Sequence, residues 1–314
     1  VFVDVGCAQT GSELHVCATT EDGNLWHTIR YPDGSWQPFD DLTRAAQGPA
    51  GIVAVDCAEI KGELHVCAVD KTGGLFHTVR RRNTRERRGR PSWDGFSRVK
   101  EPVGRDLGKF SDVGCVGIGD ELHLCGITPP SGVWHAIRRG DGSWDPFFTD
   151  LRQVASDPGN PYRVDCAARS SGTNPVVEVL AVVVLADRDG HGLRVQLAQH
   201  QRLYSDSWQP GHWVGFTETG LGNLGLVGSY YDVACTNLED DLHLLVYDLK
   251  AKGIRHARGL WKGSGNAIID VIDAKALGSV PGHVACSPGT APVSDRPWAG
   301  ALGKLFARVR SLVP

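Results

Sequence analysis

ELHVCATTEDGNLWHTIRYPDGSW (residues 13–36), ELHVCAVDKTGGLFHTVR (63–80) and ELHLCGITPPSGVWHAIRRGDGSW (121–144) are near-copies of one another. A weaker fourth copy runs from Asp241, Leu242 and His243 to Ile254, Arg255 and His256. Self-similarity at a fixed period points to a repeat architecture. Cysteine marks the period: Cys7, Cys57, Cys115, Cys166, Cys235 and Cys286 sit in short apolar runs spaced 50, 58, 51, 69 and 51 residues apart. Units of roughly 40–50 residues suit a four-stranded propeller blade.

The first unit shows the pattern. Phe2–Ala8 reads as strand a, Glu13–Thr19 as strand b, Leu25–Arg30 as strand c, and Ser35–Phe39 opens strand d. Thr10-Gly11-Ser12, Asp22-Gly23 and Asp33-Gly34 supply the turns, and Asp-Gly is a strong hairpin signal. The predicted fold is an all-β propeller of four-stranded blades in a single domain, residues 1–314. The blades are 1–46, 52–107, 110–155, 162–222, 230–278 and 282–314. Blade four has diverged, with strand b at Val177–Leu185 and strand c at Leu193–Ala198. The sixth unit is short and lacks a strand d, so five blades is the alternative count. Helical periodicity is weak throughout. The chain begins at Val1 and contains no Met. It is therefore expected to lack the start of the gene product, and a strand from before Val1 would close the ring.

Composition narrows the function classes. The 314 residues are 41% hydrophobic and 22% charged, ordinary for a globular chain, and the net charge of −3 gives no electrostatic footprint for nucleic acid. The longest apolar run, Val176–Ala186, contains Glu178 and is strand-sized, so no membrane span is expected. No signal peptide is visible, and compartment and oligomeric state are left open. Of nine cysteines, Cys7/Cys17, Cys57/Cys67 and Cys115/Cys125 lie ten apart across hairpins. Ten after Cys235 stands Leu245. A position that accepts leucine is an apolar filler, so buried thiols are expected rather than disulfides. No metal site is expected without CxxC or HExxH spacing, and no cofactor without a P-loop or dinucleotide fingerprint.

The repeats carry a polar frame. Glu13 and His15 recur as Glu63 and His65, then Glu121 and His123; His27 recurs as His77 and His135. Arg30, Arg80 and Arg138 end strand c, and Trp36, Trp93, Trp144 and Trp208 open strand d. A sugar site needs an aromatic ring against the C–H face and a few fixed acid, base and amide groups for the hydroxyls. Carboxylate, imidazole, guanidinium and indole are the right parts. The same residues also suit a purely structural role holding each blade together, and both readings stay open here.

Gly-x-Leu-Trp-His followed by Asp-Gly-Ser-Trp resembles the bacterial and fungal propeller lectins, among them the fucose-binding, tectonin-like and Photorhabdus-type lectins. The resemblance covers blades one to three well, blade five in part, and blades four and six poorly. It implies sugar pockets between neighbouring blades, with Arg, Glu and Trp or Tyr as ligands. This chain departs from the fucose pattern: Glu13, Glu63 and Glu121 stand where Arg would head strand b, and His27, His77 and His135 where Glu would sit on strand c. The implied partner is a glycan or small polyhydroxy ligand of unassigned identity.

Two further features compete. Strand a lines a propeller's channel. Asp4, Asp112 and Asp232 stand three before a cysteine, with His283 at that level in the sixth unit, while Asp56 and Asp165 stand one before. A carboxylate-lined tube would suit acid–base work at a single central site, the enzymatic alternative. Short Asp side chains also bond nearby backbone. Blade two carries an insert containing Arg81, Arg82, Arg85, Arg87, Arg88 and Arg90, read as a solvated loop or, in a protein-interaction scaffold, as the contact surface.

Overall fold

Each repeat folds as an antiparallel meander. The computed structural model describes residues 1–81, 92–99, 106–146, 148–171, 177–187, 193–203, 207–208, 212–218, 230–238, 241–248, 253–258 and 268–273. These form five sheets. Blade one is β1 (Phe2–Thr10), β2 (Glu13–Thr20), β3 (Leu25–Arg30) and β4 (Asp40–Asp41), with a one-turn helix α1 (Leu42–Ala45). Blade two is β5 (Ile52–Ile60), β6 (Glu63–Asp70), β7 (Leu75–Arg81), β8 (Ser92–Trp93) and β9 (Ser97–Arg98), the last also pairing with β7. Blade three is β10 (Asp112–Ile118), β11 (Glu121–Thr128), β12 (Gly132–Arg138) and β13 (Thr149–Asp150), followed by α2 (Leu151–Val154). Blade four is β14 (Asn160–Ser171), β15 (Val177–Asp187), β16 (Leu193–Leu203) and β17 (Trp213–Glu218). Blade five is β18 (Tyr230–Leu238), β19 (Asp241–Asp248), β20 (Gly253–Arg258) and β21 (Ile268–Asp273). The innermost strands β1, β5, β10, β14 and β18 are successive neighbours, which makes the architecture a propeller. The unit expected at 282–314 lies outside the described residues, as does most of the arginine insert of blade two.

The second strand of each blade is packed on both faces, which explains its small residues. Val16, Cys17 and Ala18 are wholly buried, as are Val66, Cys67 and Ala68. All eight described cysteines are free and buried. The register shows why hairpin disulfides do not form. Cys7 pairs with Val16 while Cys17 pairs with Gly6, so the two thiols leave opposite faces of the sheet. Cys17 instead meets Cys57 of the next blade, and Cys67 meets Cys115.

The fourth strand differs from expectation. Ser35–Phe39 does not form a continuous strand: Trp36 makes one bridge to Arg30, the chain bulges at Pro38, and pairing resumes at Asp40–Asp41 against Trp26 and His27. Proline has no N–H for a ladder. The two single-turn helices are too short to leave a mark in the hydrophobic pattern. Each starts at an aspartate cap, where Asp41 accepts from Arg44 N–H and Asp150 from Arg152 N–H, and each buries a leucine, Leu42 and Leu151.

Blades one and two, and three and four, come into close backbone contact where glycine faces aspartate. A Cβ on Gly6 would lie 2.5 Å from the Cα of Asp56, and one on Gly114 would lie 2.7 Å from that of Asp165. Gly114→Ala must therefore push blade four outward. The expected cost is about 1–3 kcal/mol, read as a lower urea midpoint with an unchanged slope; an unshifted midpoint would show that the blades slide freely. Among the described residues no helix is long and apolar enough to cross a membrane.

Candidate functional site

The end of the third strand and the start of the fourth place one arginine beside one tryptophan. Arg30 pairs with Trp36, Arg80 with Trp93 and Arg138 with Trp144. Directly paired residues share a sheet face, so guanidinium and indole stand side by side. In blades one and three the connecting turn is locked by aspartate: Asp33 accepts from the N–H and hydroxyl of Ser35, and Asp141 from those of Ser143.

These pairs face the preceding blade. Trp93 packs edge-on against His27 with ring centroids 5.2 Å apart, and Trp144 against His77 at 5.7 Å. In blade four the equivalent ring is Trp213, 5.5 Å from His135, and not Trp208 as the sequence suggested. Register decides it, since Trp213 pairs with His200 as Trp144 pairs with Arg138. The clefts are therefore inter-blade. Arg30 and Trp36 would face a blade preceding blade one, and none is described there.

The histidines lie elsewhere. His15, His27, His65, His77, His123 and His135 are all buried. They join in pairs within each blade, Nδ1 to Nε2, at 3.0 Å for His15–His27, 3.1 Å for His65–His77 and 3.0 Å for His123–His135. Such a bond needs at least one neutral ring as acceptor. Burial, then the nearby Arg80, lowers His15 to about 3; burial, then Arg138, lowers His65 to about 3; His27 and His77 are held well below the usual value. The imidazoles expected to contact a ligand are closed off from solvent, and each pair ties the second strand to the third behind the tryptophan edge. The sequence held the clue. Blade five keeps His243 and His256, again paired at 2.8 Å. Its frame arginine is replaced by Gly259, so the histidines follow the blade rather than the cleft.

The carboxylate that heads the second strand behaves differently in each cleft. Between blades one and two, the Glu13 side chain is 38% exposed and its close polar neighbour is His15 Nε2 at 3.5 Å. Arg80 faces it across the boundary, half-buried and without an ion pair among the described residues; burial lowers its pKa while Glu13, Tyr31 and Asp40 support its charge. Between blades two and three, Glu63 is taken by Arg81 at 2.7 Å, and Asp94 by the same guanidinium at 2.8 Å. Arg138 is half-buried there, beside Trp144. Between blades three and four the cleft is filled. Glu121 is buried and receives Arg139, Arg202 at 3.0 Å and the Trp208 indole N–H at 3.0 Å. Burial pushes the Glu121 carboxyl up, but His123, Arg139 and Arg202 prevail and hold it down at about 2. Arg202 also bonds Glu178 and lies 4.6 Å from the Trp208 ring centroid.

The axial channel brings together Asp4, Asp56, Asp112, Asp165 and Asp232 around a cavity of about 30 Å³. Four of these carboxylates accept a backbone N–H from the next blade: Asp4 from Val55 at 2.7 Å, Asp56 from Cys115 at 2.6 Å, Asp112 from Val164 at 2.8 Å and Asp165 from Cys235 at 2.6 Å. The two sequence levels alternate so that each aspartate reaches its neighbour. Arg163 enters the same space, 3.4 Å from Asp112 and 3.5 Å from Asp232, with Tyr162 and Tyr231 beside its plane. Burial raises Asp56 to about 7 and Asp112 to about 6, and holds Asp165 well above the usual carboxylate value. His283 lies outside the described residues. Among the described residues no group of side chains is arranged to hold a metal ion.

No protein-family model and no curated protein sequence matches this chain. Solved structures do. The SapL1 lectin, in complex with alpha methyl fucoside, is similar at a TM-score of 0.54 and 14% identity, over 92% of this chain and 86% of its own. AofleA from Arthrobotrys oligospora is similar at 0.56 and 14%, over 86% and 70% of the two chains. The Aleuria aurantia lectin, a six-bladed propeller with fucose recognition, is similar at 0.54 and 13%, over 85% and 77%. At these identities the likeness is one of fold, and the fold is that of the fucose-binding β-propeller lectins.

Proposed function

We propose that the chain binds carbohydrate without catalysis, in the clefts between blades one and two and between blades two and three. The observation that carries this reading is the pairing of a partly exposed indole with a guanidinium that has no ion-pair partner among the described residues, opposite a carboxylate of the preceding blade. An indole face stacks on sugar C–H groups, and a guanidinium fork with a carboxylate binds adjacent hydroxyls. The site residues are Glu13, Arg80 and Trp93 in one cleft and Glu63, Arg138 and Trp144 in the other; Arg30 and Trp36 are the same pair in blade one. The lectin folds above support the reading.

The test is calorimetric titration with a monosaccharide panel. More than one site per chain is expected. Trp93→Ala and Trp144→Ala should each remove one site or weaken it at least tenfold, about 1.4 kcal/mol. A stoichiometry of one, untouched by either substitution, would overturn the assignment.

A catalytic reading of the channel has one observation in its favour, the raised pKa values of Asp56, Asp112 and Asp165. The cavity there, about 30 Å³, matches the space of roughly one water. The geometry suits a polar axle between blades better than a sugar subsite. As for a protein-interaction surface in the arginine insert, Arg81 is committed to Glu63 and Asp94, and residues 82–90 lie outside the described ones.

A further inference from the structure

We propose that the cleft between blades two and three is built for an acidic sugar, whose carboxylate is received by Arg138. The inference rests on the carbohydrate-binding reading of that cleft and adds the ligand's chemical class.

The two open clefts are not equivalent, and one position separates them. After the frame arginine comes Tyr31 in blade one but Arg81 in blade two. Tyr31 points its hydroxyl at the Gln37 side chain, 3.3 Å away, and leaves Glu13 uncommitted. Glu13 is then the counter-charge for Arg80 across the first cleft. In the second cleft Arg81 consumes both nearby carboxylates, Glu63 at 2.7 Å and Asp94 at 2.8 Å. The remaining acid near Arg138 is Asp141 of its own turn, an exposed carboxylate that accepts from the Ser143 N–H and hydroxyl and acts on Arg138 without an ion pair. Arg138 also faces Arg81, a like charge, and the buried pair His65 and His77, both neutral.

Six other partly buried arginines of the described structure sit beside a carboxylate. Arg81, Arg139, Arg152, Arg163, Arg202 and Arg255 each have a carboxylate oxygen within 3.5 Å. Arg80 and Arg138 make no such pair, but Arg80 has the uncommitted Glu13 as its counter-charge. Arg138 has no carboxylate within ion-pair distance among the described residues and is supported at longer range by Asp94, already bound by Arg81, and by Asp141, although it is partly removed from water and paired in register with Trp144. A guanidinium fork is shaped for a carboxylate. With an indole beside it for the ring face, the cleft matches a sugar that carries a carboxylate.

The experiment titrates the full chain with methyl glycosides of glucuronic, galacturonic and mannuronic acid, with the matched neutral hexosides, and with acetate at constant ionic strength. At least one uronide is expected to bind about tenfold or more tightly than its neutral counterpart, by the strength of a charge-assisted fork. Arg138→Gln should erase that preference, Arg138→Lys should restore part of it, and Arg44→Gln, at an exposed arginine of α1, should leave it unchanged. Circular dichroism checks that each variant is folded. A neutral hexoside binding as tightly as every uronide, or a preference that survives Arg138→Gln, would overturn the acidic class while leaving sugar binding intact. Acetate binding as tightly as the uronides, with Trp144→Ala silent, would overturn sugar binding at this cleft as well. Binding of none of the probes would overturn both.

Discussion

Glu121→Ala is expected to lower the unfolding free energy by about 3–5 kcal/mol, the penalty for removing one partner of a buried ionic network. Without the carboxylate, Arg202 loses one of its two anions, and the Trp208 N–H loses its acceptor. The same substitution at the matching position of the first repeat, Glu13→Ala, should stay within about 0.5 kcal/mol of the parent because that side chain is solvated. Ligand binding should move the opposite way, with Glu13→Ala weakening the first cleft and Glu121→Ala leaving both open clefts intact. Urea unfolding of the two variants, with titration of the folded protein, checks both halves. A Glu121→Ala loss below about 1 kcal/mol would mean that the arginines relax into water and that the third cleft is not closed by this network.

The second large effect is acid unfolding. Six buried imidazoles, His15, His27, His65, His77, His123 and His135, are held neutral below their usual range, chiefly by burial. In the unfolded chain each takes a proton near pH 6.5. The unfolded state therefore binds more protons below that pH, and stability falls as pH falls. The channel aspartates oppose this. Asp56, Asp112 and Asp165 have raised pKa values, so their contribution is fully present below the ordinary aspartate value and is lost as pH rises through about 7 for Asp56 and about 6 for Asp112. Six groups outweigh three, leaving a net uptake of about three protons on unfolding near pH 5, or about 4 kcal/mol per pH unit. Cooperative acid unfolding is expected between about pH 5 and 4, given a total stability of about 5–15 kcal/mol. Replacing His65 and His77 together by leucine should remove about two protons from that slope. A stability profile that is flat from about pH 6.5 down to about 4.5, or that rises toward acid, would show that the carboxylates dominate.

The paired histidines show how far residue patterns reach. Their spacing marks a repeated element, but chemical type alone does not say whether an imidazole faces water or another imidazole. Orientation comes from register, with His27 opposite Cys17 in a strand buried on both sides. Trp208 shows the same limit. Chain order matches it to the fourth strand, whereas Trp213 holds that register and Trp208 caps the closed cleft. The alternating aspartates are visible in the sequence as two levels on the first strand. Their stapling of each blade to the next is visible only once neighbouring strands stand side by side.

Local features are legible in the residues alone: the meander of each blade, the hairpins at Asp-Gly, the buried cysteines and the arginine–tryptophan frame. These follow from period-two alternation and turn chemistry, which act over a few residues. The fold settles which copy of the repeated glutamate stays exposed. Glu13 and Glu121 head near-identical segments, yet one meets solvent and the other meets Arg202 and Trp208, 81 and 87 residues further along the chain. Coulomb attraction acts through space, so a site made at the boundary of two blades takes its charge balance from both.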